Sequence, residues 1–149
     1  MIRQAVILLL LTVVAAAGAH FLHPRAPAWS LAQEKLAEDE VSVADVQARW
    51  QGQVLWVDAR LHEAYDKAHV PGAILLNEQE LDALLIEHIE KLQDNQKPVV
   101  VYCDGHACQA SRKIRTYLMG TVGLANVWVL HGGWPAWQTA HGPASTSAR

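Results

Sequence analysis

Apolar and polar positions along the chain fall into short blocks that switch between two periods. The runs at 54–57 (VLWV), 74–76 (ILL), 99–102 (VVVY) and 127–130 (VWVL) are continuously apolar and rich in β-branched or aromatic residues. Runs of this length between turn-forming residues predict buried strands. Between them the apolar positions spread to helical spacing. Ser42, with Asp45 three residues on, predicts a capped helix start before Val46, Ala48 and Trp50, with Gly52 as its stop. A short helix containing Tyr65 is expected over 62–68, and Pro71-Gly72 is turn geometry. Leu81, Leu84, Leu85, Ile89 and Leu92 predict an amphipathic helix within 78–92. Ile114, Tyr117 and Leu118 predict another from Gln109, ending near 120–123, and Gly132-Gly133 opens a last one through Trp134 and Trp137. Strands alternating with helices predict an α/β domain whose parallel sheet is covered on both faces. In such sheets the site lies beyond the C-terminal strand ends. Asp58, Cys103 and His131 all fall at those ends.

The N-terminal pattern is different. Arg3 precedes a run from Ala5 to Ala19 that is apolar except for Thr12, and Ala17-Gly18-Ala19 matches a cleavage site of small residues. With Phe21 and Leu22 the run approaches the length of about 17 residues needed for a short membrane span. The segment is therefore expected to be an apolar helix, either an uncleaved anchor or a cleaved signal peptide; a core helix would show an amphipathic pattern, which the run lacks. Both readings place the domain outside the cytoplasm, in the periplasm or at the cell exterior, attached to a membrane or secreted. The expected organisation is signal peptide or transmembrane anchor over 1–22, linker over 23–40 with Trp29 near the interface or packed on the domain, folded domain over 41–141 and flexible tail over 142–149. The residues 31–40 are expected to be helical or irregular.

Chemistry concentrates in VVVYCDGHACQASR, residues 99–112, which holds both cysteines of the chain. Cys103 sits where a buried strand ends, Asp104 and Gly105 form a loop, and a helix follows. Backbone N–H groups converging at a helix N-terminus stabilise an anion. That setting is expected to bring a thiol down from its ordinary pKa of about 8.5 and to make it a nucleophile at neutral pH. Two cysteines are too few for a disulfide scaffold or for a closed zinc site, and the eight histidines show no ligand spacing. No metal or other cofactor is expected. The net charge of −3 gives no reason to expect nucleic-acid binding, while 51% hydrophobic residues suffice for one real core.

The ordered motifs VDARLHEAYDKAHVPGAI, VVVYC and LHGGWPAW resemble those of the rhodanese-like family, over about residues 41–141. The resemblance implies a three-layer α/β sandwich around a central parallel sheet. It also implies sulfurtransferase chemistry, with Cys103 carrying sulfane sulfur as a persulfide between a small donor, such as thiosulfate, and a thiol or cyanide-type acceptor. The loop residues Asp104, Gly105, His106, Ala107, Cys108 and Gln109 would supply the cradle of amides, with Asp58, Arg60, Arg112 and Trp134 as supporting residues.

The loop departs from the family's commoner pattern. No Arg or Lys lies between Cys103 and Ser111, and Asp104 is acidic, which weighs against an anionic donor such as thiosulfate. The related phosphatase cradle needs an Arg six residues after the Cys, where this chain has Gln109. Cys108 is either a resolving thiol that forms a disulfide with Cys103 or a small residue packed at the helix start. The alternatives to sulfur transfer are a thiol–disulfide redox protein using the Cys103/Cys108 pair with a redox protein partner, and a non-catalytic binding module. Asp58 with Arg60 reads as a structural pair, and His69 as a turn residue. His106 is a donor to an anion or an exposed loop residue. His131 either approaches the crevice or caps the glycine turn.

Overall fold

The computed structural model describes residues 36–105 and 109–142. The N-terminal apolar run, most of the linker with Trp29, the loop residues His106, Ala107 and Cys108, and residues 143–149 lie outside the described residues. Among the described residues no helix is long and apolar enough to cross a membrane.

The elements are β1 (Glu40–Val41), α1 (Val43–Trp50), β2 (Leu55–Asp58), α2 (His62–Lys67), β3 (Ile74–Leu75), α3 (Leu81–Gln93), β4 (Val99–Tyr102), α4 (Gln109–Tyr117) with a π-helical turn (Leu118–Val122), β5 (Val127–Leu130) and α5 (Gly133–His141). All strands run parallel in one sheet of order β1-β5-β4-β2-β3. β4 is central, and every one of its residues is buried, as a strand covered on both faces requires. Alternation along the strands divides the core in two. Leu55, Val57, Val99, Val101 and Val127 pack with Leu84 and Leu92 of α3 and Ile114 of α4. Val41, Val100, Tyr102 and Leu130 pack on the other face with Val46 of α1 and Trp137 of α5. The architecture is thus an α/β sandwich of three layers.

Local chemistry accounts for most boundaries. Ser42 caps α1: its hydroxyl accepts from the Asp45 N–H at 3.1 Å, and the Asp45 carboxylate accepts from the Ser42 N–H at 3.0 Å, a reciprocal capping box. Left-handed backbone at Gln51 and Gly52 ends the helix. The α3 helix begins at Leu81, later than the expected 78, because the Asn77 side chain accepts from the Glu80 N–H at 2.9 Å and holds the intervening residues in a turn. β1 is a strand where helix or irregular chain was expected. Only Val41 of the pair is buried, and its strand character comes from parallel pairing with β5, Val41 opposite Leu130.

Candidate active site

The carboxyl ends of β2 and β4 meet side by side. Asp58 lies opposite Tyr102 in the register, and the Ala59 N–H donates to the Tyr102 carbonyl at 2.8 Å. One residue on, Cys103 leaves the sheet, 3% exposed. It is disulfide-bonded in this structure. Its Sγ accepts from the Ser111 hydroxyl at 3.5 Å and lies 3.5 Å from the Gly105 carbonyl oxygen. Ser111 is buried at the start of α4, on the stripe continued by Ile114 and Leu118. A serine at 111, in register with apolar residues at 114 and 118, is a polar residue on a core-facing stripe. That spacing is the signal in the sequence that Ser111 is buried with a polar partner rather than exposed.

The third wall comes from α5. The Trp134 N–H donates to the Cys103 carbonyl at 2.7 Å. Gly133, at φ +55°, lies so close that a Cβ there would stand 2.3 Å from the Cys103 carbonyl oxygen. Only glycine permits both the left-handed backbone and that approach. The Gly132-Gly133 pair is therefore the seat on which the start of the cysteine loop rests.

Arg60 ties these pieces together. Its side chain is 4% exposed and forms a buried bidentate pair with Asp58, with Nε to Oδ1 at 2.9 Å and Nη2 to Oδ2 at 2.7 Å. Nη2 also donates to the Ala68 carbonyl at 2.7 Å. The guanidinium stacks 4.5 Å from the Trp134 ring and 5.5 Å from that of Tyr102, and its Nη1 stands 3.9 Å from the exposed Asp104 carboxylate. Burial disfavours the cation, but the hydrogen bonds and charge of Asp58 outweigh it and hold Arg60 above its ordinary pKa. Burial, and then the charge of Asp58, push the Tyr102 phenol far above its ordinary value, so it stays neutral while accepting from the Val70 N–H at 3.0 Å. Asp58 and Arg60 thus form the structural pair that the sequence suggested. His69 likewise holds its turn, with Nδ1 2.9 Å from the Tyr65 carbonyl and its ring stacked on Tyr65.

Arg112 bonds to the edge strand. Expected as a supporting residue, it lies on the side of α4 facing the edge strand and donates to both carboxylate oxygens of Asp39 at 2.8 Å, and to Glu40. Asp39 holds its pKa above the ordinary value. Its reach is set by β1, which the sequence reading lacked. Glu40 also meets His131, whose Nδ1 lies 3.0 Å away. Gln109 begins α4 and is exposed.

Cys103 opens on a cavity of about 150 Å³, whose lining includes Arg60, Glu78, Gln79 and Asp104. Glu78 was not anticipated in the site; it is brought there by the turn after β3 and held by Lys113 of α4 at 2.7 Å. A roomier cavity of about 480 Å³ lies between α1 and α5, walled by Trp56 and Trp137, and its described lining holds no cysteine. Among the described residues no group of His, Cys, Asp and Glu could hold a metal ion.

A parallel α/β domain with a buried cysteine seated on a glycine turn beyond its central strand defines a recognisable class. The rhodanese-like domain family matches residues 42–140, and the chain belongs to that family. It is 32% identical over 130 residues to a Mycobacterium tuberculosis protein provisionally named thiosulfate sulfurtransferase SseB, a match covering 74% of this chain. The chain spans about two fifths (42%) of that relative's length. Among solved structures, a thiosulfate sulfurtransferase from Pseudomonas aeruginosa is similar with a TM-score of 0.55 and 25% identity, over 73% of this chain and 20% of that one. The BH2092 protein of Bacillus halodurans is similar with a TM-score of 0.52 and 28% identity, over 69% of this chain and 73% of that one.

Proposed function

We propose that the domain is a sulfurtransferase that carries sulfane sulfur on Cys103 and works outside the cytoplasm. The observation that carries the reading is the placement of Cys103 Sγ beside the Ser111 hydroxyl, at the end of the central strand and at the wall of a cavity. A thiolate there has a donor for its charge and room for one small sulfur-bearing group. In the reduced protein the thiolate attacks the outer sulfur of a donor. A Cys103 Sγ–S bond forms, the donor's sulfur bond breaks, and the leaving group departs with the electron pair. A thiol or cyanide acceptor then attacks the outer sulfur and returns the Cys103 thiolate. The names of the Mycobacterium and Pseudomonas relatives support this chemistry, and the apolar run at Ala5–Ala19 supports the location.

A second reading, thiol–disulfide exchange with a redox protein partner, is favoured by one observation: Cys103 is disulfide-bonded. Sulfur transfer to cyanide by Cys103→Ser and Cys108→Ser variants distinguishes the two. Sulfur transfer predicts loss of turnover in Cys103→Ser alone. Loss in both variants, with disulfide reduction retained only by the unaltered chain, would move the assignment to redox chemistry. No turnover in any form would leave a binding module.

A further inference from the structure

The charges around the Cys103 cavity do not balance. Arg60 is the cation in its wall, and Asp58 already holds that guanidinium at 2.7 Å. Lys113, which is not among the lining residues, pairs with Glu78 at 2.7 Å. Arg112 is bound to Asp39 and Glu40. Asp104 remains: its carboxylate is 77% exposed, lines the cavity, and reaches Arg60 only at 3.9 Å. Among the described lining residues, one cation, Arg60, faces two carboxylates, Glu78 and Asp104; with their partners Asp58 and Lys113 counted, one negative charge is in excess. A cavity of about 150 Å³ admits only a small donor, so the donor's own charge must come close to Asp104 and Glu78.

We infer that this cavity selects sulfane-sulfur donors with a cationic group next to the sulfur, the persulfides of small aminothiols, over oxyanionic donors such as thiosulfate. The inference rests on the sulfur-transfer reading and names its substrate class. The donor's ammonium group faces Asp104 and Glu78. The Cys103 thiolate attacks the terminal sulfur of R–S–SH, the new Sγ–S bond forms, the R–S–S bond breaks, and RS⁻ leaves with the electron pair and takes a proton from water. The S–H proton stays on the transferred sulfur. An oxyanion must instead enter against the unbalanced carboxylate of Asp104, with Glu78 beside it paired to Lys113. Between an attracted and a repelled unit charge, one unbalanced carboxylate can change a rate by about tenfold even with the screening of an exposed group.

The test uses matched donors with the same reacting group, the persulfides of cysteamine and of 3-mercaptopropionate. Each rate of sulfur gain on the pre-reduced full chain is normalised to that donor's rate with a free small thiol. The amine donor should load Cys103 about tenfold faster or more at low ionic strength. Asp104→Asn and Glu78→Gln should each narrow that ratio several-fold, and about 0.5 M salt should narrow it too. Equal rates, a faster carboxylate donor, or a ratio unchanged in both variants would overturn the inference. If neither donor adds sulfur while a neutral alkylating agent still modifies Cys103, the sulfur-transfer reading itself fails, a separate outcome.

Discussion

Replacing Gly133 by alanine tests whether the glycine turn is the seat of the cysteine loop. The added methyl would stand 2.3 Å from the Cys103 carbonyl oxygen, 2.9 Å from the Gly105 nitrogen and 3.0 Å from the Cys103 carbonyl carbon. All three are backbone atoms, so no side chain can swing aside. Two costs add to that overlap. A left-handed φ of +55° costs an L-residue about 1–2 kcal/mol. Moving α5 away breaks the 2.7 Å bond from the Trp134 N–H to the Cys103 carbonyl and leaves buried partners unmet, about 1–2 kcal/mol more. The total is about 2–4 kcal/mol. Gly72 provides the comparison: its φ is +79°, but a Cβ there meets nothing within 4 Å. Gly72→Ala should therefore cost only the backbone part, about 1–2 kcal/mol. Urea unfolding of both variants at matched m-values measures the difference, and alkylation of reduced Cys103 reads out the site. Gly133→Ala should be the less stable of the two and should alkylate at an altered rate. If both variants lose the same stability to within about 0.5 kcal/mol, the claim that α5 is seated directly on the loop is wrong.

Other predictions follow from the same geometry. Arg60→Met strands the buried Asp58 carboxylate and should cost about 3–5 kcal/mol, whereas adding Asp58→Asn should restore much of it; equal losses in the single and double variants by denaturant titration would contradict the pairing. Ser111→Ala removes the hydroxyl 3.5 Å from Cys103 Sγ and should slow iodoacetamide alkylation of the reduced thiol several-fold at neutral pH with little change in unfolding midpoint; an unchanged rate would remove Ser111 from the site. Burial works to raise the Glu40 carboxyl, but its bond with His131, the Ala37 N–H and the charge of Arg112 outweigh it and hold its pKa below the ordinary 4.5. A carboxylate depressed in the folded state contributes stability that is fully present above its unfolded pKa and is lost as pH falls through the folded one. The stability gap between the unaltered chain and Glu40→Gln should therefore be widest near neutrality and close below pH of about 4.5; a gap that stays constant on acidification would refute this.

The frame of the domain was readable because its signals are local. VVVY can be buried on both faces and belongs in the centre of a parallel sheet; Ser42 and Asp45 write a helix start within four residues. What escaped was set by contacts far apart in sequence. β1 spans only Glu40–Val41, too short for any period, and exists because β5 pairs with it. Without β1, nothing in the sequence said that Arg112 would turn to Asp39 and Glu40, 72 or 73 positions away. Glu78 reaches the cavity because the Asn77 turn delays α3 and because Lys113, 35 positions on, reaches back to it. Ser111 is the intermediate case: its place on the Ile114–Leu118 stripe was visible, but the atom it faces depended on how α4 follows the strand.

The most direct test of the account is the mass of Cys103 itself. The chain is reduced, desalted, offered a sulfane-sulfur donor and measured intact and after digestion. The account predicts a gain of one sulfur atom, mapped to Cys103, removed by cyanide or a thiol, absent in Cys103→Ser and present in Cys108→Ser. Loss of two hydrogens with no sulfur gain, mapped to a Cys103–Cys108 bridge, would contradict sulfur transfer and assign the cysteine pair to redox exchange.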